Sequence, residues 1–397
     1  MKSHTIIADK FVFGGNCIGK IDGKTVFVPY AVPGEKLDIE ITKEHKDFDE
    51  GRILNVLEPS FHRVKPFCSL YGKCGGCDMM HIDGQYQKEI KSRIFTELFS
   101  SNGIKIPAPT TISGKDAGYR ARIQLNDGCF SERGSNRPVP VDYCPVAHKN
   151  INDWLKAVPA EKRGKGRKNI FAHEKLKEKL IVSHTEEKIP QKEARNNAKL
   201  KKPRNIYSGS IISEENRANI NILGKNISFD VRGFFQSNIE VLEKAILKTT
   251  EDISGSSALD LYAGCGTFSA FLCDKFENVT LVEHNRDALV YAEKNLYGKP
   301  HTSIGLSGEA WIRSCGKMHF DAAVLDPPRS GIEKTVLDYL CASKIPRIRY
   351  VSCNPSTQAR DIARLFKSGY GIKEAFVLDF YPNTSHIESL VCLERED

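Results

Sequence analysis

Hydrophobic and polar positions fall into three textures along the chain. Up to about residue 58, the short strand-like runs Thr25–Val28, Leu37–Ile41 and Arg52–Leu57 are punctuated by Gly14–Gly15, Gly19, Gly23 and Pro33–Gly34. Short strands with glycine turns predict a small β-barrel. Residues 59 to about 228 hold further strand-like runs and one clear helical pattern. That helix is predicted from Gly84 to Phe99, with Tyr86, Ile90, Ile94 and Leu98 four apart and Lys88, Lys91 and Arg93 off that line. From about Phe229 strand and helix alternate. Ser237 and Glu240 form a capping-box pair opening a helix that runs to about Thr249. Strands are predicted at Ala258–Tyr262, Val279–Glu283, Phe320–Asp326 and Arg349–Ser352. Such alternation implies a parallel sheet with helices on both faces. The expected organisation is a barrel (1–58), a β-rich central domain (59–228) and an α/β, Rossmann-like domain (229–397).

Composition adds limits. The chain has 397 residues, 40% hydrophobic and 27% charged, as in ordinary globular proteins of two or three domains. No stretch approaches the roughly 20 apolar residues of a membrane helix. The opening MKSHTIIADKFVFGG lacks the pattern of a secretory signal. A cytoplasmic protein without membrane contact is therefore expected. In that reducing setting, clustered cysteines among the twelve read as ligands or nucleophiles.

Charge is uneven. The net charge is +8, but Glu161–Arg204 alone carries 15 lysines and arginines against 6 glutamates. Residues 1–58 have 8 basic and 10 acidic residues, so the barrel is not the source of the excess. Leu180–Ser183 interrupts the basic stretch and suggests a strand, whereas Glu186–Arg204 reads as a solvated loop. It fits either a surface insertion or an RNA-contacting arm.

The first α/β strand ends in LDLYAGCGTF, with Gly264 and Gly266 between strand and helix. A backbone must pass close to a ligand at such a turn. A dinucleotide fingerprint would need glycine at Ser269, so the nicotinamide reading weakens. Glu283 closes the next strand and could hold a ribose. Asp326-Pro327-Pro328-Arg329 ends an apolar strand at the ligand edge. Cys353 ends the next, directly before a helix over Ser356–Lys367, where a helix N-terminus favours thiolate. His386 and Glu388 are two apart, on one face if they share a strand, and Glu388 is a candidate base.

Cys68, Cys74 and Cys77 form a C-x5-C-x2-C cluster, and Cys144 follows in VDYCPVAH. Three close cysteines and one distant suit zinc or an iron–sulfur cluster, and spacing leaves both open. Gly75 and Gly76 would let the chain wrap closely around sulfur.

Together these motifs resemble the RNA 5-methyluridine methyltransferases. KFVFGGNCIGKIDGKTVFVPYAVPGEKL resembles a TRAM domain, an RNA-binding β-barrel. GFFQSN, LDLYAGCGTF, LVEHN, LDPPRSGI, YVSCNPSTQARD and FYPNTSHIESLVCLER match the catalytic motifs in order. The resemblance implies a class I methyltransferase fold using S-adenosyl-L-methionine, bound by Gln236, Tyr262, Gly264, Glu283 and Asp326. It implies Cys353 as nucleophile, Glu388 as proton acceptor, and a [4Fe-4S] cluster on Cys68, Cys74, Cys77 and Cys144. Thr267 stands where many relatives have asparagine, and Ala263 where many have cysteine. The barrel and cysteines together resemble the 23S ribosomal RNA branch more than the transfer RNA branch, with a monomer expected. Two rival readings are an amino-group methyltransferase using Asp326-Pro327-Pro328, and a non-catalytic iron–sulfur RNA-binding protein.

Overall fold

The computed structural model describes residues 3–183, 216–315 and 318–396. The first six strands are β1 (Ser3–Ile7), β2 (Lys10–Val12), β3 (Asn16–Ile21), β4 (Lys24–Pro29), β5 (Lys36–Glu44) and β6 (Phe48–Glu58). They form one sheet in the order β1-β5-β6-β4-β3-β2, with only β4 and β6 parallel. The two edge strands are consecutive in the chain. Ala8 N donates to the Glu35 carbonyl and Asp9 N to the Ile18 carbonyl, so the bonding passes from one edge to the other and the sheet curls up. Phe11, Cys17, Val26, Val28, Leu37 and Ile39 fill its interior.

Helix α1 spans Gly84–Ser101, capped by the Asp83 carboxylate, which accepts from Tyr86 N. Its buried face is rotated from the expected line. Gln87, Ile90, Lys91, Ile94, Phe95 and Phe99 are buried. Lys91, read as outward-facing, is only 1% exposed, because its ammonium reaches the buried Asp379 carboxylate at 2.7 Å and the Tyr381 carbonyl at 3.0 Å. A paired charge tolerates burial that a lone one does not.

The central region adds β7 (Thr110–Ile112), β8 (Arg122–Asn126), β9 (Phe130–Ser131), β10 (Pro138–Val139), α2 (Lys149–Ala157), β11 (Arg167–Ala172), β12 (Leu180–Val182), β13 (Arg217–Ile222) and β14 (Lys225–Asp230). Strands β12, β11 and β8 form a sheet in that order, while β9–β10 and β13–β14 are hairpins. The described part of the basic stretch is thus partly strand. Glu186–Arg204 lies outside the described residues.

The main sheet comprises β15 (Gly255–Leu261), β16 (Phe276–Val282), β17 (His301–Ile304), β18 (Ala322–Leu325), β19 (Arg347–Ser352), β20 (Tyr370–Leu378) and β21 (Glu388–Arg395). Its order is β17-β16-β15-β18-β19-β21-β20-β7. It is mixed rather than parallel. The five strands β15–β19 run parallel, but β21 inserts antiparallel between β19 and β20. It does so because the 379–387 connection turns the chain straight back. Strand β7, from far upstream, extends the edge beside β20.

Helices cover both faces. Helix α3 (Ile239–Thr250), α4 (Thr267–Leu272) and α5 (Arg286–Asn295) pack with Ala258, Val324 and Val351 on one side. Helix α6 (Gly308–Cys315), α7 (Lys334–Ser343) and α8 (Pro355–Lys367) pack with Leu259, Ile348 and Tyr350 on the other, joined by α1. The α3 cap is Asn238, accepting from Val241 N, rather than Ser237. Glu240 instead accepts from Lys115 N and pairs with Lys244. Among the described residues, no helix is long and apolar enough to cross a membrane.

Candidate active site

Ligands in doubly wound sheets bind beyond the carboxyl ends of the strands. Here that edge carries a cavity of about 1130 Å³. Gln236, Tyr262, Gly264, Glu283, Asp326, Cys353 and Glu388 all line it. The turn after β15 is tight. Tyr262, Gly264 and Gly266 have φ of 68°, 57° and 74°, in the left-handed region. A Cβ on Gly266 would stand 3.1 Å from the Ala292 Cβ, so this glycine also lets α4 and α5 approach. The Glu283 carboxylate accepts from Gly264 N at 2.8 Å and from Asn285 N at 2.6 Å, which locks the turn against the end of β16. The Tyr262 hydroxyl donates to Glu333, which fixes its ring.

Cys353 follows β19, and Glu388 opens β21. Ser352 and Ser389 are cross-strand partners, so nucleophile and carboxylate candidates flank one facing pair. The Gln236 amide donates to Glu388 at 3.5 Å, while its buried Oε1 has no partner. His386 precedes the strand, so it does not share a strand face with Glu388, although it lines the cavity.

Burial dominates the electrostatics. It pushes the Glu388 carboxyl up to about 8, with the Asp326 charge adding to the effect. It pushes Asp326 up to about 7, helped by buried Asp260. The expected thiolate is not favoured at Cys353. Desolvation and the Glu388 and Asp326 carboxylates push its thiol up to about 11, against the opposing pull of the Arg329 guanidinium. A helix terminus acts over about one turn and is outweighed here by burial.

The aromatic residues at the cavity divide. Phe235 stacks on Phe229 at 3.9 Å within the core. Phe234 is 68% exposed at the cavity rim, and Tyr381 lines the wall beneath the Arg120 guanidinium. Arg120 had no sequence signal. Arg329 was visible in the sequence, but nothing there revealed its electrostatic reach to Cys353 and Glu388.

The four cysteines line a second cavity of about 390 Å³, which shares Gly75, Gly76 and Arg120 with the first. Burial raises the Cys74 and Cys144 thiols, and burial with the neighbouring Cys144 takes Cys77 up to about 12. Among the described residues, no three cysteine, histidine or acidic side chains converge to hold a single ion.

Comparison with known proteins agrees with this architecture. The tRNA (uracil-54, C5)-methyltransferase of Pyrococcus abyssi, solved with S-adenosyl-L-homocysteine, superposes with a TM-score of 0.74. The match covers 98% of this chain and 99% of that one, at 23% identity. The fold is that of an S-adenosylmethionine-dependent methyltransferase. The tRNA (Uracil-5-)-methyltransferase family model matches residues 314–396, and the TRAM domain model matches residues 6–54. An uncharacterized RNA methyltransferase of Treponema denticola is 36% identical, with 98% of each chain aligned. A 23S rRNA (uracil(1939)-C(5))-methyltransferase of Halomonas elongata is 28% identical over 95% of this chain and 86% of its own length. The chain belongs to the S-adenosylmethionine-dependent RNA (uracil-5-)-methyltransferase family, with an N-terminal TRAM domain.

Proposed function

We propose that this enzyme forms 5-methyluridine in 23S ribosomal RNA through a covalent adduct between Cys353 and carbon 6 of the target uracil. Carbon 5 of uracil is a weak nucleophile. Cys353 releases its thiol proton to solvent and adds to carbon 6 as thiolate, generating an enolate that makes carbon 5 nucleophilic. Carbon 5 then takes the sulfonium methyl group, leaving S-adenosylhomocysteine. Glu388 accepts the carbon 5 proton, the carbon 5–carbon 6 double bond re-forms, and Cys353 departs as thiolate. Arg329 favours both ionised groups. Gln236, Tyr262, Gly264, Glu283 and Asp326 hold the methyl donor, and the target base is flipped into the cavity against Tyr381.

The observation that carries this reading is the position of Cys353 and Glu388 at one cavity edge, beside the Gly264–Glu283 turn. The amino-group reading requires no such pair. Ribosomal RNA is favoured by the Halomonas relative's name over most of the chain. Transfer RNA is the second reading, supported by the name of the Pyrococcus structure, whose 23% identity speaks to fold. Mapping 5-methyluridine in both RNAs from a deletion strain tests this. A mark lost from ribosomal RNA supports the first reading, and one lost only from transfer RNA supports the second.

Cys68, Cys74, Cys77 and Cys144 would hold a [4Fe-4S] cluster. Four thiols lining one cavity are the donor set a cluster takes, and the family resemblance is what favours iron–sulfur over zinc. Bound there, it would cross-link the Cys68–Cys77 segment to Cys144. Anaerobically purified protein should be brown with about four irons per chain, and colourless zinc-loaded protein would refute the assignment. We take the working form to be a cytoplasmic monomer.

A further inference from the structure

The connection from β20 to β21 leads directly into Glu388, yet its shape is imposed from elsewhere. Lys91 binds Asp379 and the Tyr381 carbonyl. Tyr119 donates to the Pro382 carbonyl at 3.0 Å. Asn383 N donates to the Gln87 side chain at 2.9 Å, and Asn383 itself sits at φ 66°. The backbone amides of Asp78 and Met79 both donate to the Asn383 carbonyl. The Asp78 carboxylate then takes the Ser385 amide at 2.6 Å and the Ser385 hydroxyl at 2.7 Å.

The Asp78–Ser385 contact is half-buried. A Cβ added to Gly15, in the turn between β2 and β3, would stand 2.7 Å from the Ser385 hydroxyl and 2.8 Å from Asp78. Arg133 also approaches Asp78, at 3.4 Å. Barrel, cysteine segment and catalytic connection therefore meet at one carboxylate. Asp78 is also the residue after Cys77, so the cysteine segment is bonded to the connection both by this side chain and by the Asp78 and Met79 amides.

We propose that Asp78 is a positioning residue for proton removal from carbon 5: by clamping Ser385 it fixes the start of β21 and hence Glu388. Asp78 does not line the cavity that holds Cys353 and Glu388. Its effect falls on the step that uses Glu388 and spares the earlier addition and methyl transfer. This rests on the reading of Glu388 as the base.

The test compares Asp78→Ala, Asp78→Asn and Ser385→Ala in the full chain. Turnover on uridine RNA should fall about 10–100-fold in Asp78→Ala, while S-adenosylmethionine affinity stays within about twofold. Trapping on 5-fluorouridine RNA, which needs no base, should persist. Hydrogen exchange should quicken across 380–387 and stay slow in β15 and β16. Asp78→Asn keeps an acceptor for the Ser385 amide and should recover part of the rate. If Asp78→Ala does not fold, Ser385→Ala removes one hydroxyl and should show the same pattern more weakly. Unchanged turnover, or turnover and trapping falling together, overturns the positioning role. Normal turnover in Glu388→Gln overturns the base assignment, which is a separate outcome.

Discussion

Ser352 and Ser389 face each other across the antiparallel β19–β21 pair, and the Ser389 hydroxyl bonds both the Ser352 carbonyl (3.4 Å) and the Gln358 side chain (2.8 Å). Cys353 and Glu388 are their next neighbours. A one-residue slip in this register would turn Glu388 to the opposite face of the sheet. The buried serine–glutamine network therefore holds the relationship between the two groups on which the proposed chemistry depends.

The raised Glu388 carboxyl has a thermodynamic signature. Its folded value is about 8, above the ordinary 4.5, so the folded state keeps a proton that the unfolded state releases. The associated stability is complete below pH 4.5 and is lost as pH rises through 8. Glu388→Gln should therefore melt higher than wild type at pH 8–9, by about 1–3 kcal/mol, and equally near pH 4. Thermal unfolding across this range checks it, and a variant less stable at pH 9 would contradict it. Turnover of wild type should rise from pH 6 to 9 as Glu388 ionises.

The two glycines of the cofactor turn should differ. Gly264→Ala meets no atom within 4 Å and incurs only the left-handed penalty, about 1–2 kcal/mol. Gly266→Ala adds the 3.1 Å approach to Ala292, so it should lose more stability. Melting of both variants would show the order, and equal effects would refute it.

The Lys91–Asp379 pair makes a third case. Lys91 and Asp379 are 1% and 3% exposed, so Lys91→Ala leaves a buried carboxylate unpaired and should cost about 3–5 kcal/mol. The double change Lys91→Met with Asp379→Leu should recover much of this. Denaturant unfolding reads both, and an equally unstable double variant would show that the charges themselves are required.

Much of this architecture is legible from local pattern. Glycines at the end of an apolar strand, the Asp326-Pro327-Pro328 stop and the cysteine before Asn354 each mark a chain that turns at the ligand edge. Such signals come from residues close in sequence. What stayed hidden depends on distant partners. Lys91 reads as a surface lysine because its carboxylate lies 288 residues away. The place of β7 beside β20, and of β21 between β19 and β20, is a tertiary choice that no strand pattern encodes. The raised Cys353 thiol is hidden from local pattern for the same reason. The adjacent helix was visible, but the buried carboxylates of Glu388 and Asp326 around it were not.

The central claim is that Cys353 attacks carbon 6. RNA carrying 5-fluorouridine tests it most directly, because fluorine cannot leave carbon 5 as a cation and the adduct cannot resolve. With S-adenosylmethionine, wild type should form a denaturation-resistant protein–RNA complex, and Cys353→Ala should form none. Failure of wild type to trap an RNA it demonstrably methylates, or trapping that survives Cys353→Ala, would contradict the account.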